Sequence, residues 1–165
     1  MASTLTISAQ WIRERPNIAK VPLLYTVDKA VGLGCPNSEL DVMLVQYMLR
    51  KWIETSLWVG NFPRGYQFRN LAVSGLFDNR VLAWIFFFQL TCCSAWGHDA
   101  GSLTGKIEPI RDIGSTTGST MIELNVQLGG FTPGKPFNSL WLNMADASDM
   151  PMQLSSALKK ARAPG

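Results

Sequence analysis

The sequence predicts a mainly α-helical protein with long loops and an extended arm at each end. Two segments carry this prediction, because apolar residues recur at helical spacing over residues 41–52 and 78–92. Stretches rich in Gly, Pro, Ser and Thr lie between them and predict loops. The chain has 165 residues, which is enough for one domain with its own core.

The first predicted helix, Asp41–Trp52, has the clearest pattern. One apolar face repeats at intervals of three and four residues: Val42, Val45, Leu49 and Trp52. Ser38, three residues before Asp41, predicts a capping box that satisfies free backbone N–H groups at the start of the helix. Asp41 therefore receives a structural role at the helix N-terminus.

The second predicted helix, Asp78–Cys92, is apolar on nearly every side. Asp78 is expected to cap it, because a carboxylate can accept the free N–H groups of the first turn. Trp84, Phe86 and Phe87 add large rings. A helix of this kind is either central to the core or also contacts another chain, and the sequence leaves both interpretations open.

Four shorter elements complete the prediction. They are a strand within Thr4–Ser8, an extended segment at Val21–Val27, a helix at Met121–Leu128 and a final helix at Met152–Ala161. Thr120 and Glu123 predict a capping box for the third helix. The stretch 95–118 is expected to be a loop that contains a small hairpin. No internal repeat is evident in the sequence.

Composition limits the classes of partner. Hydrophobic residues make up 47% and charged residues 16%, against about 25% charged residues in an average domain. Such sparse charge is consistent both with an apolar surface that meets a partner and with a compact monomer that has aromatic-rich packing, and composition leaves both interpretations open. The net charge of +3 without a basic face argues against nucleic acid. The longest apolar run, Val81–Cys93, is shorter than the roughly 17–25 residues of a membrane span.

No catalytic residue, metal site or cofactor is predicted. The one histidine, His98, has no second histidine or spaced cysteine pair with which to hold a metal. Cys35, Cys92 and Cys93 are expected to be reduced, buried thiols. The carboxylates with a predicted place are assigned to helix termini, so the sequence indicates a protein that is not an enzyme.

Four segments, in order, resemble the signature of the peptidoglycan-binding domain family. They read Asp41-Val42-x-x-Val45-Gln46-x-x-Leu49, then Leu71-x-Val73-x-Gly75-x-Phe77-Asp78 with Ala83-x-Ile85-x-x-Phe88-Gln89, then Gly105-Lys106-Ile107-Glu108-Pro109, then Thr120-Met121-Ile122-Glu123-Leu124-Asn125. The resemblance implies a small three-helix bundle over residues 31–128. Residues 1–30 and 129–165 would then be N- and C-terminal extensions, the latter with the short final helix.

The resemblance also implies two kinds of site residue. Loop residues such as Asn37, Tyr66 and Trp96 would contact a cell-wall ligand. Gln46 and Gln89 would be structural, because in such a bundle they could bond backbone carbonyls of the long loops, and buried polar groups need partners. The chain departs from the family around the second helix, where the usual acidic residue before the turn glycine is replaced by Ser74 and the rings are bulkier.

Two functions are expected from these observations. The first is a non-catalytic structural subunit of a bacterial or phage assembly, such as a tail or an injection apparatus, with other protein subunits as homo- or hetero-oligomeric partners. The alternative is a module that binds cell-wall peptidoglycan. The segment Met1–Gln10 has no basic region followed by an apolar stretch. The chain is therefore expected to be made in the cytoplasm without a Sec signal and incorporated into a particle, which favours the first function.

Overall fold

A computed structural model describes residues 3–6, 23–55, 71–96, 103–111, 119–128 and 144–162. Four α-helices dominate these residues: α1 Glu39–Thr55, α2 Asn79–Trp96, α3 Ser119–Leu128 and α4 Met152–Arg162. The described strands are short: β1 Ser3–Thr6, β2 Leu23–Thr26, β3 Val31–Gly32 and β4 Lys106–Ile107. A 3₁₀ turn, Met144–Asp146, precedes α4. The predicted mainly α-helical class is confirmed.

The core is built around α1, which contacts α2, α3 and α4. Every residue from 41 to 49 is buried, because other elements pack on several sides of this helix. At its C-terminal half, Trp52 meets the edge of Phe88 with ring centroids 4.8 Å apart, and it also contacts Phe87 at 5.7 Å. Aromatic pairs favour such tilted geometry, and these pairs join α1 to α2.

The strands form two separate antiparallel pairs. In the first, β1 pairs with β2 in a register that sets Ser3 opposite Thr26. In the second, β3 pairs with β4, and Val31 lies opposite Ile107. The small hairpin expected within 95–118 is not found among its described residues, because β4 pairs instead with β3, a strand that precedes α1. A two-residue strand carries no local pattern from which its partner could be predicted.

The described parts of both predicted extensions share the core of the central module. Leu24 and Tyr25 on β2 are fully buried. Met150, Leu154 and Leu158 are buried in and before α4, which packs on β1 and α1. One apolar cluster therefore includes residues before 31, residues after 128 and the helices between them.

Only some of the predicted N-terminal capping residues are found at the observed starts of the helices. Asp78 caps α2, since its Oδ1 accepts the backbone N–H groups of Arg80 at 2.9 Å and Val81 at 3.0 Å. In contrast, α3 begins at Ser119, so Thr120 lies inside the first turn and is not the cap. None of the described helices has the length and apolar character needed to cross a membrane.

Candidate functional site

Gln46, buried on α1, holds the loop that leads into α2. Its side-chain oxygen accepts the backbone N–H groups of Ser74 and Gly75, both at 2.9 Å. Its nitrogen donates to the carbonyl of Leu76 at 2.9 Å and to the hydroxyl of Ser74 at 3.4 Å. The side-chain amide of Gln46 thus provides partners for two backbone N–H groups and one backbone carbonyl in a segment that is neither helix nor strand. We call this arrangement the Gln46 clasp.

Gln89, buried on α2, makes the corresponding Gln89 clasp with the loop that contains β4. Its oxygen accepts the N–H of Gly105 at 2.9 Å. Its nitrogen lies 2.9 Å from the carbonyl of Lys106, 3.0 Å from the hydroxyl of Thr120 and 3.2 Å from that of Thr104. These contacts join α2, the β4 loop and the first turn of α3.

The two clasps repeat one arrangement that the sequence did not reveal. In each, a helix glutamine meets a Ser–Gly or Thr–Gly pair in the following loop, at 74–75 and 104–105. The hydroxyl accepts the N–H two residues later, at 3.3 Å in the first and 3.2 Å in the second. Gly75 and Gly105 both have positive φ, 77° and 64°. The helix-to-glycine spacing differs, which hides the repeat from a search at fixed period.

The glycines of the two clasps also allow each loop to lie close against a helix. A Cβ atom at Gly75 would lie 2.6 Å from Cγ of Glu39 and 3.1 Å from Cγ of Met43. A Cβ atom at Gly105 would lie 2.6 Å from the ring of Phe86. Each loop is therefore pressed onto a helix at a position that only glycine fits without a shift.

Asn37 lies in the turn after β3, with φ of 50°. Its Oδ1 accepts the N–H of Gly32 at 2.8 Å, and its Nδ2 donates to the carbonyls of Gly32 at 3.0 Å and Cys35 at 2.9 Å. Both polar atoms of the side chain therefore bond the turn itself. A ligand bond would compete with these bonds, and ligand contact through Asn37 stays a prediction.

Asn125 on α3 also bonds backbone groups through its side-chain amide, in this case those of Tyr25 on β2. Its Oδ1 accepts the N–H of Tyr25 at 2.7 Å, and its Nδ2 donates to the carbonyl of Tyr25 at 2.8 Å and that of Met121 at 2.7 Å. The residue is fully buried. It fixes the strand before the central module to the third helix.

Asp41 ties the segment before α1 to the helix. Its carboxylate accepts the backbone N–H groups of Asp28 at 2.9 Å and Lys29 at 3.1 Å. The hydroxyl of Ser38 also donates to it. The predicted place at the helix N-terminus is observed, but these bonds reach back ten residues beyond the expected capping box.

A charged cluster joins α1 to the C-terminal segment through Asp149. The hydroxyl of Tyr47 donates to its Oδ1 at 2.9 Å, and Lys51 and Arg50 pair with its Oδ2 at 2.6 and 3.3 Å. Burial alone would raise the pKa of Asp149, but hydrogen bonds from Lys51 and Tyr47 outweigh it and hold that pKa below its usual value. Burial and the bond to Asp149 raise the pKa of Tyr47.

One face of α2 is exposed and uncharged. It consists of Ala83, Phe86, Leu90 and Ser94, which follow each other at helical spacing, and we call it the open face of α2. Phe86 is 40% and Leu90 54% exposed. Arg80, in the first turn, is the helix's one charged residue.

Of the predicted ligand contacts, only Asn37 has a side chain among the described residues. Tyr66, the side chain of Trp96, and His98 lie outside the described residues. Within the described part of the chain, no group of three or more His, Cys, Asp or Glu side chains could hold a metal ion. Cys35, Cys92 and Cys93 form no disulfide with one another, and the expectation that all three are buried is wrong for Cys35 and Cys93, which are partly exposed.

The sequence analysis assigned no role in a site to several residues of these arrangements. They are Tyr47, Ser74, Thr104, Asn125 and Asp149. A Ser–Gly or Thr–Gly pair downstream of each core glutamine is the signal that could have indicated the clasps. No comparable local signal points to Asn125 or Asp149, since their partners lie about a hundred residues away in sequence.

Comparison with known proteins finds no family model, no curated protein and no solved structure that matches the chain.

Proposed function

We propose that the chain is a non-catalytic structural subunit of a bacterial or phage assembly, such as a tail or an injection apparatus. It would be built on a three-helix module of the peptidoglycan-binding-like kind. The open face of α2 carries this proposal. An exposed helix face with a phenylalanine, a leucine and no charge is typical of surfaces that contact other proteins.

The polar groups of the described loops support the same proposal. The amides of Gln46, Gln89 and Asn37 are all used on backbone atoms of their own chain. Loops held in this way keep a fixed shape, which suits a building block that presents a rigid surface to its neighbours. Their polar side chains have correspondingly less capacity left for a soluble ligand.

The test is the size of the native species. A tagged chain in the cells that make it is expected to sediment far faster in a gradient than a protein of 18.2 kDa. The same extract after denaturation and refolding at high dilution provides the control. Sedimentation as a monomer both in the native extract and after purification would rule out a subunit role.

Peptidoglycan binding is the second candidate. It is favoured by one observation: both clasps fall in the segments that resemble the peptidoglycan-binding domain family, and a fixed loop is what a preorganised site requires. Retention of the purified chain on insoluble peptidoglycan, above that of a control protein of similar charge, would support it. No retention would leave the subunit role as the only proposal.

A further inference from the structure

We draw no further inference here: the strongest candidate, the open face of α2 with its exposed Phe86 and Leu90, supports none, because nothing in the part of the chain that the structure describes shows what covers it.

Discussion

At the scale of single residues, side-chain amides take the place of backbone partners. Gln46, Gln89, Asn37 and Asn125 each accept with oxygen and donate with nitrogen to the main chain. A buried backbone group without a partner costs free energy, so a segment outside a helix or sheet needs such a substitute. These amides therefore stabilise loops in a protein whose described strands are only two to four residues long.

Replacing Gln46 by Met keeps the volume of the side chain and removes the clasp. The N–H groups of Ser74 and Gly75 and the carbonyl of Leu76 would lose their partner. We expect the free energy of unfolding to fall by about 2–4 kcal/mol, measured by urea denaturation. The matched control is Gln153→Met on the exposed side of α4, which should change stability by less than about 0.5 kcal/mol. Equal effects of the two substitutions would contradict a structural role for the clasp.

The clasp glycines offer a second test at the residue scale. Gly75→Ala adds a Cβ atom 2.6 Å from Glu39 in a backbone of φ 77°, so it meets both a contact and a conformational penalty. Gly34→Ala has a similar φ of 70°, but no other atom within 4 Å, so only the conformational penalty applies. We expect losses of about 2–4 kcal/mol at Gly75 and about 1–2 kcal/mol at Gly34 by thermal unfolding. A loss at Gly34 as large as that at Gly75 would show that the packing contact contributes nothing.

At the scale of elements, α2 combines three surfaces on one helix. Its Trp84, Ile85 and Phe88 are buried in the core, Gln89 holds the β4 loop, and the open face meets solvent. The sequence predicted a helix that is apolar nearly all round and could not decide which sides were covered. In the structure, α1 and the β4 loop pack against other sides of α2 and leave its open face exposed.

The N-cap of α2 can be tested on its own. Asp78→Ala removes the acceptor for the N–H groups of Arg80 and Val81, and we expect stability to fall by about 1 kcal/mol. Asp78→Asn retains a capping oxygen and should lose less. Measurement of both by chemical denaturation separates the cap from general effects of substitution, and an equal loss would argue that the capping oxygen is not what matters.

At the scale of the whole molecule, described segments on both sides of the central module contribute to the core. The strand β2 is fixed to α3 through Asn125, and the C-terminal segment is fixed to α1 through Asp149. Apolar contacts from Leu154 and Leu158 add to the second attachment. Removing either segment should therefore expose apolar residues of α1 and α3, because the segments cover them.

The attachment at Asp149 predicts a specific dependence on pH. Its pKa is lowered in the folded chain, so its contribution is present above the ordinary carboxyl pKa of about 3.9 and is lost as the pH falls below it. The carboxylate is partly exposed, which limits the contribution to about 0.5–1 kcal/mol. The stability difference between wild type and Asp149→Asn should shrink between pH 5 and strongly acidic pH. A difference that stays constant over this range would count against the ion-pair role.

The sequence by itself determined the helical class, the approximate extent of α1 and α2, and the cap at Asp78. It could do so because helical periodicity and capping depend on residues within a few positions of each other. The resemblance to the peptidoglycan-binding domain family also led to the expectation that Gln46 and Gln89 would bond backbone carbonyls of the long loops, since buried polar groups need partners.

Only the tertiary structure decided which loop each glutamine holds, that β4 pairs with β3, and that β2 and α4 enter the core. It also decided that Phe86 and Leu90 remain exposed while Phe88 is buried. The hydrogen bonds involved join residues from 15 to 102 positions apart. No local pattern encodes such a partner, because its position depends on how the helices pack and how long the intervening loops are.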